Sequence, residues 1–576
     1  MSAMGIRHLT PALRPSASDS QLDGQTVVVD GPSMVYHVFN IWSQKNPHHT
    51  FSYTGLGEAT DKWLDRLGRK VTLAKIYFDA YLPPSKQPVR IERMAKESAT
   101  WSSYYWANST RMPPPTSPRV PWPSFLVPAT IEHLFSLPQY AALIELVPGE
   151  ADGYCAAFAS GDCTIITSDS DLLVHHPLDD ATRVVFLRDI GDASVKTVKN
   201  FYPGRIAERL GILEQGGICR LAYEMSQNSK ATLRQHLHRI KNGTAPKSHS
   251  DYATFQNQYR VLDLNKPTKF PPDILERLYL LDPRVSEFLL SCTLGDGDRV
   301  SMYLPFIPDC PVRTSAWKSS ENVRGLTYGL AADAFDTGKK IVVEYRRLQS
   351  TSSHGRLLDI LPPENVAGEL LRILKALSLQ TSLLSAAPGA GAATEIDGRP
   401  YIWDLFCVYS DYASAISMDQ TPISYTLLNK AAITSADPVD ASSWDLVHFA
   451  AQCQAVYYSL RMVKQILTIL SETGHETPGL CRELMLFLQD LPPLKHMASP
   501  AELAGSMSKW NGQDVLSSMS ALFGPQDFSN VEDIANRDPK SERMVKQKKK
   551  KKNKQKPQSS APANSLMGNP FAALAQ

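Results

Sequence analysis

Six acidic residues in the first third of the chain lie at or just after short apolar runs. Asp30 ends "TVVVD", Asp79 ends "KIYFD", and Asp169 and Asp171 follow "TIIT". The other two acids, Glu150 and Asp152, lie in "VPGEAD", which contains the end of another apolar run. Carboxylates held close together raise each other's pKa and repel unless a cation lies between them. Because magnesium prefers oxygen ligands, the set predicts a site for Mg²⁺ or Mn²⁺.

The chemistry of such a site is phosphodiester cleavage. Two divalent ions about 4 Å apart activate a water and stabilise the leaving oxygen. Two other interpretations compete for the paired aspartates. Asp169 and Asp171 could favour a helix start, with Ser168 as its N-cap. They could also form the D-x-D metal pair of a different fold, such as a topoisomerase-primase type site, but the acids that end earlier apolar runs argue against that fold.

The apolar runs predict the elements that position these acids. Continuous rather than alternating hydrophobicity is typical of strands covered on both faces. The intervening segments are long enough for crossover helices, so we expect a largely parallel sheet whose carboxyl ends share one edge. The predicted strands are Thr26–Gly31, Lys75–Ala80, Thr164–Asp171 and Thr182–Asp189, and Ala141–Glu150 is either a strand or a helix end.

The remainder of the chain has a more helical pattern. "SSWDLVHFAAQCQAVYYSLRMVKQILTIL" predicts a long helix with Ser443 as N-cap and a buried apolar stripe. The predicted fold class is α/β: a largely parallel central sheet with flanking helices, a mostly α-helical C-terminal region and a disordered basic tail. The predicted regions are a core at 1–202, a helical insertion and completion of the core at 203–362, the helical region at 363–525 and the tail at 526–576.

Charge and cysteine content restrict the class of protein. The net charge of the 576 residues is +2, but Lys540–Lys556 alone has ten basic residues and one acid, so the body is acidic. The eight cysteines do not cluster and form no C-x-x-C pair, which indicates a reduced compartment without a zinc ribbon. No apolar run reaches membrane-spanning length, so we expect no membrane partner. The terminal "NPFAALAQ" is either a protein-docking motif or a terminus without a role.

The order of the acidic motifs resembles that of a known family. "MGIRHLTPAL", "VVVDGPSMVYHVF", "YFDAYLPPSKQPVRIERM", "VPGEADGYCAAFA" and "TIITSDSDLLV" are similar, in this order, to motifs of the flap endonuclease / xeroderma pigmentosum group G nuclease superfamily. The segment "LPFIPDCPVRTSAWKSSENVRGLTYGLA" and the helical C-terminal half look like its Asteroid branch. The glycine-rich helix-turn-helix with which flap endonucleases grip duplex has no counterpart.

The resemblance implies a PIN-like nuclease core and a role for each matching residue. The metal-binding acids would be Asp30, Asp79, Glu150, Asp152, Asp169 and Asp171, with Asp152 in place of a glutamate. Lys86 and Arg93 would contact the scissile phosphate, and Gly5 would lie near the site. A further acid is expected after a large insertion, where "LGDGDRV" offers Asp296 or Asp298.

The function expected from these residues is metal-dependent cleavage of single-stranded or branched DNA in repair or processing, with RNA as an alternative substrate. The competing hypothesis is a catalytically inactive PIN-like scaffold that binds nucleic acid or protein. Its support is the missing duplex-binding element, the shorter Asp152 and the acidic body. Convergence of the acids within metal-binding reach separates the two hypotheses, because scattered acids would remove the first.

The first testable prediction concerns the lysine run Lys548, Lys549, Lys550, Lys551 and Lys552, which we expect to act in nuclear import or nucleic-acid binding. Deleting residues 546–556 should move the protein from the nucleus to the cytoplasm, or flatten the salt dependence of DNA binding, because phosphate contacts release counterions. Imaging and binding titrations at several salt concentrations measure both. Unchanged localisation together with an unchanged salt slope contradicts the prediction.

Overall fold

The computed structural model describes residues 6, 8–47, 51–109, 122–159, 163–176, 181–264, 266, 268–294, 297–347, 354–386, 395–396, 399–433, 443–475, 478–507, 510 and 512–523. Four predictions fall outside these residues: Gly5, Asp296, the lysine run of the tail, and the tail's disorder. The described residues contain the other predicted site residues and all eight cysteines, whose side chains are buried.

A mostly parallel seven-stranded sheet forms the centre of the fold. Its strands are β1 (Ser18–Gln21), β2 (Thr26–Asp30), β3 (Thr72–Asp79), β4 (Ile144–Val147), β5 (Cys163–Thr167), β6 (Arg183–Phe186) and β7 (Thr197–Phe201). Their order is β1-β7-β6-β5-β2-β3-β4. The five strands β2 to β6 are parallel, whereas β7 runs antiparallel to β6 and β1 antiparallel to β7. The predicted α/β class is confirmed.

The predicted strands agree with this sheet, with three differences. The run at Ala141–Glu150 is a strand, β4, rather than a helix end. The run at Thr164–Asp171 leaves the sheet after Thr167 and continues as a 3₁₀ turn. Strands β1 and β7 were not predicted; β1, "SDSQ", at one edge of the sheet, is polar and half-exposed and has no apolar run to indicate it.

Helices cover the sheet and make up most of the rest of the chain. In the first 362 residues they are α1 (Leu9–Leu13), α2 (Gly31–Lys45), α3 (Tyr53–Gly68), α4 (Gln87–Ala107), α5 (Leu126–Phe135), α6 (Pro138–Ala141), α7 (Ala151–Phe158), α8 (Leu187–Ile190), α9 (Pro203–Arg209), α10 (Gly217–Gln227), α11 (Leu233–Lys241), α12 (His249–Gln258), α13 (Pro272–Leu275), α14 (Pro283–Cys292) and α15 (Glu321–Ala334). Short 3₁₀ turns occur at Arg14–Ser16, Pro84–Lys86, Ser170–Leu173, Leu213–Gln215, Leu278–Leu280, Ala316–Ser320 and Leu494–His496.

The C-terminal region is helical as predicted. Its helices are α16 (Pro363–Ala386), α17 (Tyr401–Ser417), α18 (Ile423–Ile433), α19 (Trp444–Glu472), α20 (Gly479–Gln489), α21 (Pro500–Met507) and α22 (Gly512–Phe523). Ser443 caps α19 by accepting a hydrogen bond from the Leu446 amide, and the helix is buried over most of its circumference. A search of the described helices finds none with the length and apolar character needed to cross a membrane.

A second, smaller sheet lies within the region predicted as a helical insertion and completion of the core. Its strands are β8 (Arg299–Tyr303), β9 (Ile341–Tyr345) and β10 (Arg356–Asp359), in the order β10-β9-β8. A two-residue hairpin adds β11 (Glu395–Ile396) and β12 (Arg399–Pro400). The buried carboxylate of Glu344 in β9 accepts hydrogen bonds from Arg324 and Tyr328 of α15, which joins this sheet to that helix.

Two apolar cores lie on the two faces of the central sheet. Val28, Ile165 and Val184 face a core built with α1, α7 and α9 to α11. Val29 and Ile166 face the opposite way, into a larger core that also contains α2, α3, α5 and the helices α14 to α22. The C-terminal helices therefore share a continuous core with the sheet instead of forming a separate body.

A polar contact reinforces this packing at the junction of α5 and α19. The Glu132 carboxylate on α5 forms an ion pair with Arg461 of α19 and accepts a hydrogen bond from the Leu494 amide at 2.7 Å. The Arg461 side chain is 16% exposed. Removing one partner of an ion pair that is this buried costs the fold much more stability than removing one partner of a surface pair.

We therefore predict that Glu132→Gln lowers the free energy of unfolding by about 2–4 kcal/mol, because the half-buried guanidinium loses its nearer carboxylate partner and keeps only that of Asp282, 3.8 Å away. Chemical denaturation followed by circular dichroism measures the change. Glu369→Gln is the matched control, since Glu369 pairs with Arg372 at the surface of α16, where such pairs contribute under about 1 kcal/mol. Equal effects of the two substitutions would contradict a role for Glu132 in joining the helical region to the sheet.

Candidate active site

The sheet brings the predicted acids together at its carboxyl edge. Asp30 is the last residue of β2 and Asp79 the last residue of β3, and these strands are parallel neighbours about 4.8 Å apart. On the other side of β2, β5 delivers Asp169 two residues after its end. Glu150 precedes α7 and Asp152 lies in its first turn, above the end of β4. Four neighbouring strands thus contribute to one edge, as the sequence predicts.

Hydrogen bonds fix the two acids that end strands. Asp30 is 4% exposed; it accepts the Ser33 amide at 3.2 Å, which caps α2, and the Thr167 hydroxyl at 2.6 Å. Asp79 accepts the amide of Ala151 at 2.7 Å, at the start of α7. Helix N-termini therefore stabilise both carboxylates, since their first amides have no partner within the helix.

The paired aspartates combine two roles that the sequence treated as alternatives. Asp169, not Ser168, is the cap: its carboxylate accepts the Asp171 amide at 2.9 Å and begins the 3₁₀ turn. Asp171 accepts the Ile6 amide at 3.0 Å and the Tyr259 hydroxyl at 2.9 Å. Capping therefore does not remove these residues from the acidic cluster, because the same turn holds both carboxylates beside Asp30 and Asp152.

Burial and mutual repulsion raise the carboxyl pKa values at this edge. Burial raises the pKa of Asp79 to about 7, with smaller contributions from the charges of Asp30 and Glu150. Burial and the adjacent charge of Asp171 raise the pKa of Asp169 to about 7. Burial also raises the pKa of Asp30. The metal-free site is therefore electrostatically unfavourable when its carboxyls are ionised.

Asp152 lies at the centre of this repulsion. Burial raises its pKa well above the usual range, and four carboxylates add to the rise: those of Asp30, Asp169, Asp171 and Asp79. The shorter side chain at this position does not remove it from the site, so the structure gives no support to the idea that Asp152 is too short to join the cluster.

Lys86 provides positive charge at the cluster's margin. Its ammonium lies 3.5 Å from the Glu150 carboxylate, at the end of the 3₁₀ turn before α4. Burial lowers the pKa of Lys86, but the charges of Glu150, Asp171 and Asp152 outweigh this and raise it overall. The lysine therefore stays protonated, with 37% of its side chain exposed for a ligand.

The two arginines that follow on α4 have different roles. Arg93 is exposed, and its charge acts on the carboxyl of Asp171, so it borders the cluster. Arg90 is instead held in the fold by Glu287 of α14, which accepts two hydrogen bonds of 2.5 Å from it. Of the basic residues near the second acidic strand, Lys86 and Arg93 are thus the ones available to a substrate.

Two further side chains belong to the site, and the motifs did not indicate them. The Thr167 hydroxyl donates to Asp30 and accepts the amide of Asp169, so it links the first acid to the pair. Tyr259, which donates to Asp171, lies 88 residues further along the chain in the insertion. A threonine that ends a strand could have been suspected from its position, but no local pattern marks Tyr259.

Of the two acids expected after the insertion, Asp298 lies among the residues that the structure describes. Asp298 directly precedes β8 in the smaller sheet, and its side chain is 56% exposed and 4.0 Å from Arg299. Its backbone oxygen accepts the amides of Lys340 and Ile341. No contact among the described residues joins Asp298 to the acids, so the prediction that it contributes a ligand is unsupported, and Asp296 is outside the described residues.

A divalent metal fits the donor set, although the side chains do not yet enclose one. Within the part of the chain that the structure describes, no group of three His, Cys, Asp or Glu residues is arranged to hold a metal ion. The carboxylates of Asp30, Asp79, Asp169 and Asp171 accept hydrogen bonds from amides or hydroxyls. All the donors are oxygens, and Asp79 and Asp169 each use one oxygen in the hydrogen bonds described above, which suits Mg²⁺ or Mn²⁺.

The raised pKa values predict an unusual pH dependence for the metal-free protein. The unfolded chain ionises these aspartates near pH 4, whereas the folded protein keeps protons on Asp79 and Asp169 up to about pH 7. Stability from these groups is therefore lost as pH rises from about 4 to 7. Asp169→Asn should remove this loss and raise the melting temperature at pH 7.5 by about 1–4 °C.

Thermal melts at pH 5 and pH 7.5 in a chelator test this, and Mg²⁺ should raise the melting temperature of the wild type more than that of Asp169→Asn. Asp192→Asn is a control that should change the melting temperature in the opposite direction, because hydrogen bonds from Ser194 and Lys45 lower the pKa of Asp192 to about 2. If Asp169→Asn only destabilises and Mg²⁺ shifts neither curve, the paired aspartates are structural caps.

Comparison with known proteins gives one match. Residues 122–358 match a family model described as "XPG domain containing", and no curated protein matches the chain. The matched range covers less than half of the chain; it includes Glu150, Asp152, Asp169, Asp171 and the insertion, but not Asp30 or Asp79. The match supports placing this part of the chain in the superfamily of XPG and flap endonucleases, whose members are structure-specific nucleases that use divalent metals.

Proposed function

We propose that this protein is a divalent-metal-dependent endonuclease of the Asteroid branch that hydrolyses phosphodiester bonds of single-stranded or branched DNA, in DNA repair or processing. The observation that carries the proposal is the convergence of five buried or half-buried carboxyls with raised pKa values at one sheet edge, beside a protonated lysine. Perturbed titratable groups that cluster in this way are typical of functional sites. The family match supports the nuclease class independently.

The metal would be held by Asp30, Asp79, Asp152, Asp169 and Asp171, with Glu150 at the margin. When bound, two such ions supply an activated water and charge stabilisation of the leaving oxygen. Their binding would also relieve the repulsion among carboxylates that the fold otherwise has to tolerate. The catalytic centre would thus become electrostatically balanced only when it is loaded.

Lys86 and Arg93 would hold the scissile phosphate. The exposed part of the Lys86 side chain lies next to the carboxylates, so its ammonium can bind a non-bridging phosphate oxygen while remaining near Glu150. Arg93 lies on α4, which begins directly after Lys86, and can bind a second phosphate oxygen through its guanidinium fork. The two cations orient the phosphate toward the acids and stabilise the negative charge that develops on it during attack by water.

The alternative is a catalytically inactive PIN-like scaffold that binds nucleic acid or protein. The observation that favours it is the absence, among the described side chains, of a group already arranged around a metal position. A scaffold would keep the fold and its basic residues but would not need the acids. The two functions therefore give the acids different roles, and substitution of an acid distinguishes between them.

The test is cleavage of end-labelled single-stranded, flap, bubble and duplex DNA by the full chain in Mg²⁺, Mn²⁺ or chelator. Cleavage should require metal and should fall at least about 100-fold in Asp79→Asn, because an amide oxygen carries no charge and is a weaker ligand. Lys86→Met should reduce the rate about 10²–10³-fold, the usual loss for one donor to a developing charge.

Asp298→Asn is the matched control, because this exposed aspartate has no contact with the cluster, and cleavage should be unchanged. RNA versions of the single-stranded and flap substrates distinguish the nucleic acid. Metal-independent cleavage, or full activity in Asp79→Asn, contradicts the proposed mechanism. DNA binding without any cleavage in either metal favours the scaffold.

A further inference from the structure

The insertion contains a strongly basic segment in an otherwise acidic body. Residues 228–270 include eight Lys or Arg residues and only two acids, whereas the chain outside this segment and the lysine-rich tail is net negative. Charge concentrated in this way predicts a polyanionic partner when it lies beside a functional site. Its position in the fold therefore decides its meaning.

The last part of this segment is described at residues 259–264, 266 and 268–270, which we call the strap, and its first residues contact the carboxyl edge of the central sheet. Tyr259 begins it at Asp171, and its backbone oxygen accepts the amide of His176. The amide of Val261 donates to the oxygen of His176, and Leu262 packs on Gly153, next to Asp152. These contacts all lie on residues that follow the ends of β5 and β4.

The strap then passes to the other face of the sheet. Tyr259 and Val261 pack against the core on the face that contains Val28, whereas Phe270 belongs to the core on the opposite face. Phe270 contacts the ring of Tyr81, two residues beyond Asp79, with ring centroids 5.1 Å apart. The strap therefore crosses the edge at which the acids converge and forms one border of the site.

The strap's cations point into solvent. Arg260, Lys266 and Lys269 are exposed, and none of the ion pairs found among the described residues involves them. By contrast, Arg90 on α4 is held in an ion pair with Glu287. Three exposed cations without ion partners on a backbone anchored beside acidic residues are placed to attract phosphates that the acids alone would repel.

We propose that the strap is a backbone-binding surface for the nucleic-acid strand that leaves the active site, with Arg260, Lys266 and Lys269 each contacting a phosphate. The partner is single-stranded nucleic acid, because the described residues of the strap lie outside the helices and therefore offer none for the groove of a duplex. This inference rests on the proposed nuclease function and names the surface that positions its substrate. It also gives the acidic body a local region of opposite charge, in place of a duplex-gripping element.

The experiment is salt-dependent binding of fluorescent single-stranded DNA by the full chain in the Asp169→Asn background, which keeps the substrate intact. The triple variant Arg260→Gln, Lys266→Gln, Lys269→Gln should bind more weakly. Its plot of log affinity against log salt should be less steep by about 2, since each lost phosphate contact in a single strand removes about 0.7. Lys266→Gln alone should remove about one third of this change and serves if the triple variant does not fold.

The matched control is Lys62→Gln, Arg69→Gln, Lys375→Gln, which removes three exposed cations from α3, the residue after it, and α16. Its salt slope should equal that of the parent protein. An unchanged slope in the strap variant, or an equal change in the control, overturns the proposal. The proposal is also overturned if the strap variant loses binding to anionic phospholipid vesicles but keeps its binding to DNA, because the strap would then be a membrane-surface element.

The outcomes separate the strap from the proposed function. In the background with Asp169 intact, the strap variant should raise KM for a single-stranded substrate and leave kcat close to the wild-type value, because it removes binding distant from the reacting phosphate. If the wild type does not cleave but the salt slope changes as expected, the nuclease proposal fails while the strap remains a nucleic-acid surface. If the wild type cleaves and the slope is unchanged, only the strap proposal fails.

Discussion

Repulsion among carboxylates at one edge of the central sheet is the constraint to which the surrounding structure is fitted. Five acids with raised pKa values are buried or half-buried there, and removal from water disfavours their charged forms. The fold tolerates them through donors already present at element ends, the amides of Ser33, Ala151 and Asp171 and the Ile6 amide before α1. The start of a helix or turn thus binds an acid and positions it at once. The charges of four neighbouring acids act on Asp152, which an external cation would offset.

The arrangement also explains why capping and metal binding were difficult to separate in the sequence. An aspartate after a strand begins the next helix and lies at the carboxyl edge, so both roles follow from one position. Asp169 accepts an amide with one oxygen and still faces the cluster. The residue types that suit a cap are those that suit a magnesium ligand, because both require a carboxylate oxygen near a helix N-terminus.

The predictable parts of the fold were those with strong local patterns. Continuous apolar runs predicted β2, β3, β5 and β6. A parallel arrangement of these strands was enough to predict that Asp30, Asp79 and Asp169 lie at one edge of the sheet. The polar strand β1 and the smaller sheet had no such pattern, because they are defined by pairing with distant strands. Tyr259 reaches Asp171 across 88 residues, a contact that only tertiary packing determines. Asp298 was predicted as a metal ligand from its motif, but it lies directly before β8, at the smaller sheet.

The core shared by the sheet and the C-terminal helices has a consequence for biosynthesis. The larger core that contains Ile166 on β5 also contains Ile466 on α19, so this core is incomplete until 300 further residues have been made. At translation rates of 5–20 residues per second, this takes roughly 15–60 s. During this interval the nascent chain exposes the apolar surfaces that the C-terminal helices later cover, on which chaperones can act, and a ribosome that stops early releases a protein whose larger core is incomplete. Premature stop codons before α19 should therefore be selected against through aggregation or degradation of the product, even though every acid of the candidate site lies upstream of them.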